Sequence, residues 1–247
     1  MLGTRALPSP GLLSSDVDFG INGYLKYKLF GQELYITNTH ISIFTIMLLL
    51  IIFAIVVNIK IRKADPTKPP GPFLNVVELL VETLDNVTIN GMGAKHAHRY
   101  VNYISTLFVF LVVANISGLF GFRPPTADYS VTFALAIITF ILIQFAGFKY
   151  QKLAHITNLF KPIVLTPINI IGEVSTPLSM SLRLFGNVLS GTVLMGLIYG
   201  LVPKIITAFG WPGVLHIYFD IFSGCIQAYV FVMLTMVFTS NNFDEAN

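Results

Sequence analysis

Charge is scarce in this sequence. Only 11% of its 247 residues are Asp, Glu, Lys or Arg, against about 25% in an ordinary soluble domain. Cysteine is scarcer still. Cys225 is alone and sits in an apolar run, which excludes a disulfide framework and a cysteine-based metal cluster. His96 and His98 are two apart, do not share a helix face, and read as loop residues and not as ligands. G-x-S-x-G and H-E-x-x-H are both missing, and the acids form no obvious dyad, which disfavours an intramembrane hydrolase. The net charge of +3 is mild, so nucleic acid is not an expected partner. MLGTRALPSPGLLSS at the start is too poor in apolar residues for a cleavable signal.

What is present is hydrophobic length. Hydrophobic residues make up 54% of the chain and the mean hydropathy is +0.74, the composition of a multi-pass protein bathed in membrane lipid. Residues 1–38 read as an exposed lead-in with short ordered pieces. Ile41–Val57 is a 17-residue uncharged run, near the length that crosses a bilayer, and it extends to Ile61. Lys60, Arg62, Lys63 and Lys68 follow it, a cytoplasmic signature by the positive-inside rule. Residues 72–90 mix apolar residues with Glu78, Glu82 and Asp85 at i, i+4 and i+7. That is an amphipathic helix for the interface, its acids an ordinary solvated face. Val101–Phe122 and Tyr129–Phe148 are two further spans, with Arg123 as the only basic residue between them. Lys149, Lys152 and Lys161 come next. The alternation puts the N-terminus outside and the C-terminus in the cytoplasm.

Beyond residue 158 the pattern changes. Pro162–Tyr199 and Pro212–Asn241 are each longer than the roughly 20 residues an upright helix needs. They predict a long, strongly tilted hairpin over 159–241, with 242–247 as an exposed tail and 39–158 as the peripheral helices. The fold class is all-α membrane protein, with about five embedded helices and one interfacial helix.

Arg183 stands in the middle of this hairpin's first helix, with no other charge from Leu184 to Pro203 and only Glu173 from Pro162 to Leu182. Arginine does not lose its proton, and at a bilayer centre it costs about 2.5–3.5 kcal/mol on insertion scales. Thr176, Ser179, Arg183, Asn187 and Ser190 fall at −7, −4, 0, +4 and +7, one stripe of a helix. The stripe faces a partner, a water path, or another helix as a plain polar seam. Seams normally use Ser, Thr or Asn and not an obligate cation. On the second helix His216, Asp220, Ser223 and Gln227 fall at i, i+4, i+7 and i+11. Ionisable residues inside a membrane mark ion or proton paths by default, although Asp220 as a static partner of Arg183 is also sound physics. Glu173 lies ten residues before Arg183, about 15 Å along a helix, on the cytoplasmic side. Asp220 enters early in the returning helix, on the outer side. Acid, fixed cation, acid on a line through the membrane makes two wet half-paths with a plug between them. Nothing is conducted unless a carrier moves the proton past the plug.

TPINIIGEVSTPLSM, SLRLFGNVLSG and IQAYVFVMLTMVF together resemble subunit a of the bacterial F-type ATP synthases. The likeness is best over about residues 160–240, and earlier it lies in layout, with Asn115 in VVANISG a weaker echo. The resemblance implies a stator subunit, non-catalytic on its own and needing no cofactor, in the bacterial plasma membrane. It implies c-ring subunits, b-type peripheral stalk subunits and the rest of the ATP synthase as partners, besides membrane lipid. Arg183 would face the ring carboxylates and block short-circuit. Asn187, Ser190, His216, Asp220, Ser223 and Gln227 would line the outer half-channel, and Glu173, Thr176 and Ser179 the cytoplasmic one. One departure shifts weight onto Asp220: nine residues after the arginine the family often carries a titratable residue, and here stands Thr192. The competing class is a stand-alone ion channel or secondary transporter, but no internal repeat of the kind such transporters use is visible.

Overall fold

The computed structural model describes residues 23–29, 32–64, 71–120, 123–152, 157, 166–201 and 211–244. Residues 158–165, which include the expected start of the first long helix at Pro162, the turn between the two long helices at 202–210 and the last three residues lie outside these. Two strands come first, β1 (Gly23–Leu29) and β2 (Gln32–Thr37), paired antiparallel from Leu29↔Gln32 to Gly23↔Thr37. The lead-in thus contains a hairpin, which the sequence showed only as short ordered pieces.

From Asn38 onward the described chain is helical. Helix α1 (Asn38–Lys63) carries Lys60, Arg62 and Lys63 in its last turn, where cations favour the negative end of the helix dipole. Lys60 Nζ lies 4.1 Å from the centre of the Phe73 ring. Most of α1 is exposed apolar surface, with burial confined to Thr39, Ser42 and Ile46 near its start. Such a surface suits lipid.

Helix α2 (Pro72–Met92) buries only Leu84, Thr88 and Met92, spaced four apart on one face. Glu78 and Glu82 are exposed, in keeping with the expected interfacial helix. Gly93, at φ +75°, ends α2 and lets α3 (Ala94–Ile116) begin at the next residue. Only glycine takes that backbone readily. His96 and His98 are therefore helical and not in a loop, because one glycine makes the whole turn. The His96 ring stacks on Phe243 at 4.3 Å and meets Tyr150 edge-on at 5.1 Å.

Helix α4 (Tyr129–Tyr150) starts at Asp128, whose carboxylate accepts from Ser130 N. Its buried side is Thr132, Ala136, Thr139, Ile143, Ala146 and Gly147, all but Ile143 small residues that let neighbouring helices come close. Helix α5 (Thr166–Leu201) has 36 residues, about 54 Å at 1.5 Å each. A hydrocarbon core of about 30 Å holds that only if the helix runs obliquely or extends beyond it. Helix α6 opens at Trp211–His216, widens to a π-helix over Ile217–Ser223, and continues as α-helix over Gly224–Asp244.

Helices α3, α4 and α6 form the centre, with α5 laid against α4 and α6. Leu111, Ala114, Ala136, Leu184, Ala228 and Met236 are fully buried there. The five helices α1, α3, α4, α5 and α6 are long and apolar enough to cross a membrane. The exposed tail needs correction at its first residues. Asn242 and Phe243 are buried. Asn242 Nδ2 donates to the Ile143 carbonyl at 3.3 Å, and the Phe243 ring joins His96, Tyr100 and Tyr150.

Candidate functional site

The two faces of α5 differ in kind. Pro177, Met180, Ser181, Leu184, Gly191 and Met195 are buried against the bundle. Ser175, Ser179, Leu182, Arg183, Gly186 and Ser190 are exposed, on the side turned away from it. Arg183 is at the helix midpoint, 17 residues after Thr166 and 18 before Leu201. No hydrogen bond or ion pair joins it to another described residue. Of the three orientations open for its stripe, the outward one is observed, with Thr176 and Asn187 half-buried at its edges.

Several stripe hydroxyls are occupied locally. Thr176 Oγ1 donates to Gly172 O at 3.1 Å and Ser190 Oγ to Asn187 O at 2.9 Å. Thr192 Oγ1 likewise bonds backward to Val188 O and Leu189 O. Such back-bonding satisfies a hydroxyl inside an apolar helix. Asn187 turns to the neighbouring helix, where its Oδ1 accepts from Ser223 Oγ at 2.8 Å.

Asp220 does not pair with Arg183. Its Oδ2 lies 3.1 Å from His216 Nδ1, and His216 Nε2 lies 3.2 Å from the Tyr199 hydroxyl of α5. The π-helix carries Asp220 and Ser223, and single wide turns of this kind occur often at functional positions. A Cβ added at Gly118 would stand 3.5 Å from the Asp220 carboxylate and 3.2 Å from Pro124. The carboxylate therefore sits against the α3–α4 turn, and no larger residue fits at Gly118 without displacing one or the other.

His216, Asp220 and Ser223 are half-buried, and His216 and Ser223 reach α5 through these contacts. Gln227 is different: it is 9% exposed and its Nε2 has no hydrogen-bond partner among the described residues. The wide turn separates Gln227 from the three residues before it, so the expected single stripe is interrupted.

Glu173 lies on the other side of Arg183. Its Oε2 accepts from Gln144 Nε2 of α4 at 2.7 Å, six residues from the end of that helix at Tyr150. Along α5, Arg183 thus falls between Glu173, ten residues before it, and the Tyr199–His216–Asp220 cluster, reached sixteen residues after it. Ser179 is exposed on the intervening turn.

Sequence reasoning missed Gln144 and Tyr199. Gln144 was detectable as the one amide in the apolar run from Val131 to Phe148. Tyr199 had no such signal, because aromatic residues are common near helix ends. Asn115, noted only as an echo, holds the centre together: its Nδ2 donates to Gly224 O at 2.9 Å and its Oδ1 accepts from Thr126 Oγ1 at 2.8 Å.

The family described as ATP synthase A chain matches residues 41–240. ATP synthase subunit a of Mycoplasmoides gallisepticum is 33% identical over 233 residues, covering 83% of this chain and 78% of that protein. The subunit a of Nitrosospira multiformis is 37% identical over 182 residues, 70% of this chain and 68% of its own length. The sodium ion specific subunit a of Propionigenium modestum is 39% identical over 166 residues, 60% of this chain and 56% of its own. With a family match running from the first membrane helix to the last and relatives of this similarity, the chain belongs to the ATP synthase A chain family, a membrane-embedded component of the ATP synthase complex.

Proposed function

We infer that the chain is the non-catalytic stator of a rotary ATP synthase, carrying ions to and from a c-ring through two offset half-channels. The observation that carries this reading is the exposed, unpartnered Arg183 at the middle of α5. A cation in that position calls for water or for a surface outside this chain that supplies negative charge. A ring of carboxylates meets that need. Arg183 draws each carboxylate into its ionised state as it passes, and repels a proton that would cross directly.

The outer half-channel runs past Tyr199, His216, Asp220, Ser223, Asn187 and Gln227, with Ser190 on its open side. The cytoplasmic one runs past Glu173, Thr176 and Ser179. The N-terminus lies outside and the C-terminus in the cytoplasm, a topology that the basic residues at the end of α1 and α4 support. Its partners are the c-ring, b-type peripheral stalk subunits and the remaining synthase.

Pumping driven by ATP in inverted membrane vesicles tests the outer path. Asp220→Ala is expected to lower the rate about 100-fold, within the range a positioned proton-transfer group supplies. Thr192→Ala is expected to leave it near wild type, since its hydroxyl is engaged with its own helix. Comparable, near-normal rates in both variants count against the path. Glu173→Gln is expected to slow pumping and synthesis alike, and an unchanged rate in both directions removes Glu173 from the mechanism. The likeness to a sodium ion specific relative gives the coupling ion a second reading. Pumping that proceeds without sodium identifies the proton.

A further inference from the structure

We propose that Tyr199, His216 and Asp220 form a proton relay that joins α5 to α6 at the mouth of the outer half-channel, with His216 as the group that changes hands. The proposal rests on the half-channel reading and goes beyond it by naming the step through which the proton reaches Asp220.

The three groups make a continuous chain of polar atoms. The Tyr199 hydroxyl meets His216 Nε2 at 3.2 Å, and His216 Nδ1 meets Asp220 Oδ2 at 3.1 Å. Both ring nitrogens of one imidazole are therefore engaged, one on each side. Either neutral tautomer satisfies both bonds. With hydrogen on Nδ1, the ring donates to the ionised Asp220 and accepts from the Tyr199 O–H. With hydrogen on Nε2, the ring donates to the Tyr199 oxygen and accepts from protonated Asp220.

Exposure falls along the chain. Tyr199 is 46% exposed, the His216 and Asp220 side chains are 35% and 22% exposed, and Gln227 is 9% exposed. Accessibility thus declines from Tyr199 inward, which gives the chain a direction. Ser223 stands three residues after Asp220 on the same helix and donates to Asn187 Oδ1 at 2.8 Å.

The step balances without any co-reactant. External water gives a proton to the Tyr199 oxygen as the Tyr199 O–H proton passes to Nε2. The imidazolium then releases the Nδ1 proton to Asp220. Each O–H or N–H bond that breaks is matched by one that forms, and one proton is gained at Asp220. After Asp220 passes that proton on, exchange with water at the half-exposed ring resets the donor, one water giving a proton to Nδ1 as another takes the proton on Nε2. The reverse sequence releases a proton outward. Among the described residues no Lys or Arg contacts this chain, so the three groups act on one another alone.

A rival role is mechanical, with His216 as a clip between the two helices. Glutamine separates the two. It offers a donor and an acceptor of similar reach but does not take up a proton. The test uses membranes holding the whole synthase, with assembly checked by subunit content and by ATP hydrolysis. The relay predicts that His216→Gln lowers ATP-driven pumping about tenfold or more, as expected for loss of a proton-transfer group. Tyr199→Phe, at an exposed position that does not endanger folding, is expected to lower it about threefold, since water can partly replace the phenol. A wild-type rate in either assembled variant overturns the relay. If wild-type membranes pump and Arg183→Ala stops them, the half-channel reading stands and that outcome overturns the relay alone. Wild-type membranes that fail to pump overturn both.

Discussion

Arg183→Ala is expected to abolish coupled pumping, by at least about 100-fold, while the subunit accumulates normally in the membrane. The two halves of this result come from different observations. Accumulation is spared because Arg183 is exposed and bonds to no other described residue, and substitutions away from internal contacts usually change stability by within about 0.5 kcal/mol. Pumping is lost, on the proposed function, because Arg183 is the only charge among the described residues on the exposed face of α5, the face that would meet the ring. An ion pair at 4 Å is worth about 4 kcal/mol at an effective dielectric of 20, nearly three decades of rate at about 1.4 kcal/mol each. The estimate of two decades leaves room for partial compensation by water. Passive proton leak through membranes stripped of the soluble sector is expected to rise, because the plug is gone. Arg183→Lys keeps the charge but not the planar fork, and is expected to fall between the two. ATP-driven pumping in inverted vesicles, with leak measured on the stripped membranes, checks all three. Unchanged pumping in Arg183→Ala would make the arginine structural and remove the basis of the half-channel mechanism.

The helices were legible because a membrane tolerates few alternatives. A charge-free run such as Ile41–Val57 has to satisfy its backbone internally, and a helix is how one segment does so. α1 accordingly covers that run and its basic end. The same logic, with acids spaced along one side, located α2 to within two residues. The features that escaped depend on contacts distant in sequence or on single backbone angles. Gly93 turns the chain alone, so two histidines that looked like loop residues start a helix. Phe243 belongs to the core because His96, Tyr100 and Tyr150 wait for it, and nothing near NNFDEAN reports on residues so far upstream.

The site was legible residue by residue but not pair by pair. Arg183, Asp220 and Glu173 each stand out as charges in apolar surroundings. Their partners do not. Asp220 and Arg183 are a reasonable pair on charge alone, yet the structure gives Asp220 to His216 and leaves Arg183 outward. His216 stands four residues before Asp220 on the same helix, within reach of its carboxylate, whereas Arg183 lies on the face of α5 turned away from the bundle. Glu173 takes an amide, Gln144, 29 positions upstream. A buried amide beside an acid is a pairing that composition does not reveal.

Gly224→Ala is expected to have the opposite signature from Arg183→Ala, with little assembled subunit in the membrane. Gly224 is buried where α6 resumes after the wide turn. A Cβ there would lie 2.8 Å from Asn115 Cβ, closer than carbon atoms sit, and the obstacle is the root of a side chain and not its flexible end. Overpacking of this sort costs about 1–3 kcal/mol. Asn115 has no easy retreat, because it is 3% exposed and donates to the Gly224 carbonyl while accepting from Thr126. Moving it breaks bonds between buried groups, at about 1–3 kcal/mol for each group left unsatisfied. A total of about 3–5 kcal/mol is a large part of the stability of a typical domain. Gly186→Ala serves as the comparison, since its added Cβ meets nothing within 4 Å and alanine favours a helix over glycine by about 1 kcal/mol. Its subunit is expected to accumulate at wild-type levels. Quantifying both variants in membranes, and the thermal unfolding of the solubilised complex, checks the contrast. Equal accumulation of the two would mean that α3 and α6 do not meet as closely as Asn115 and Gly224 do here. Gly118, against which Asp220 sits, is three residues from Asn115, so loss of that contact is also expected to loosen the surroundings of Asp220.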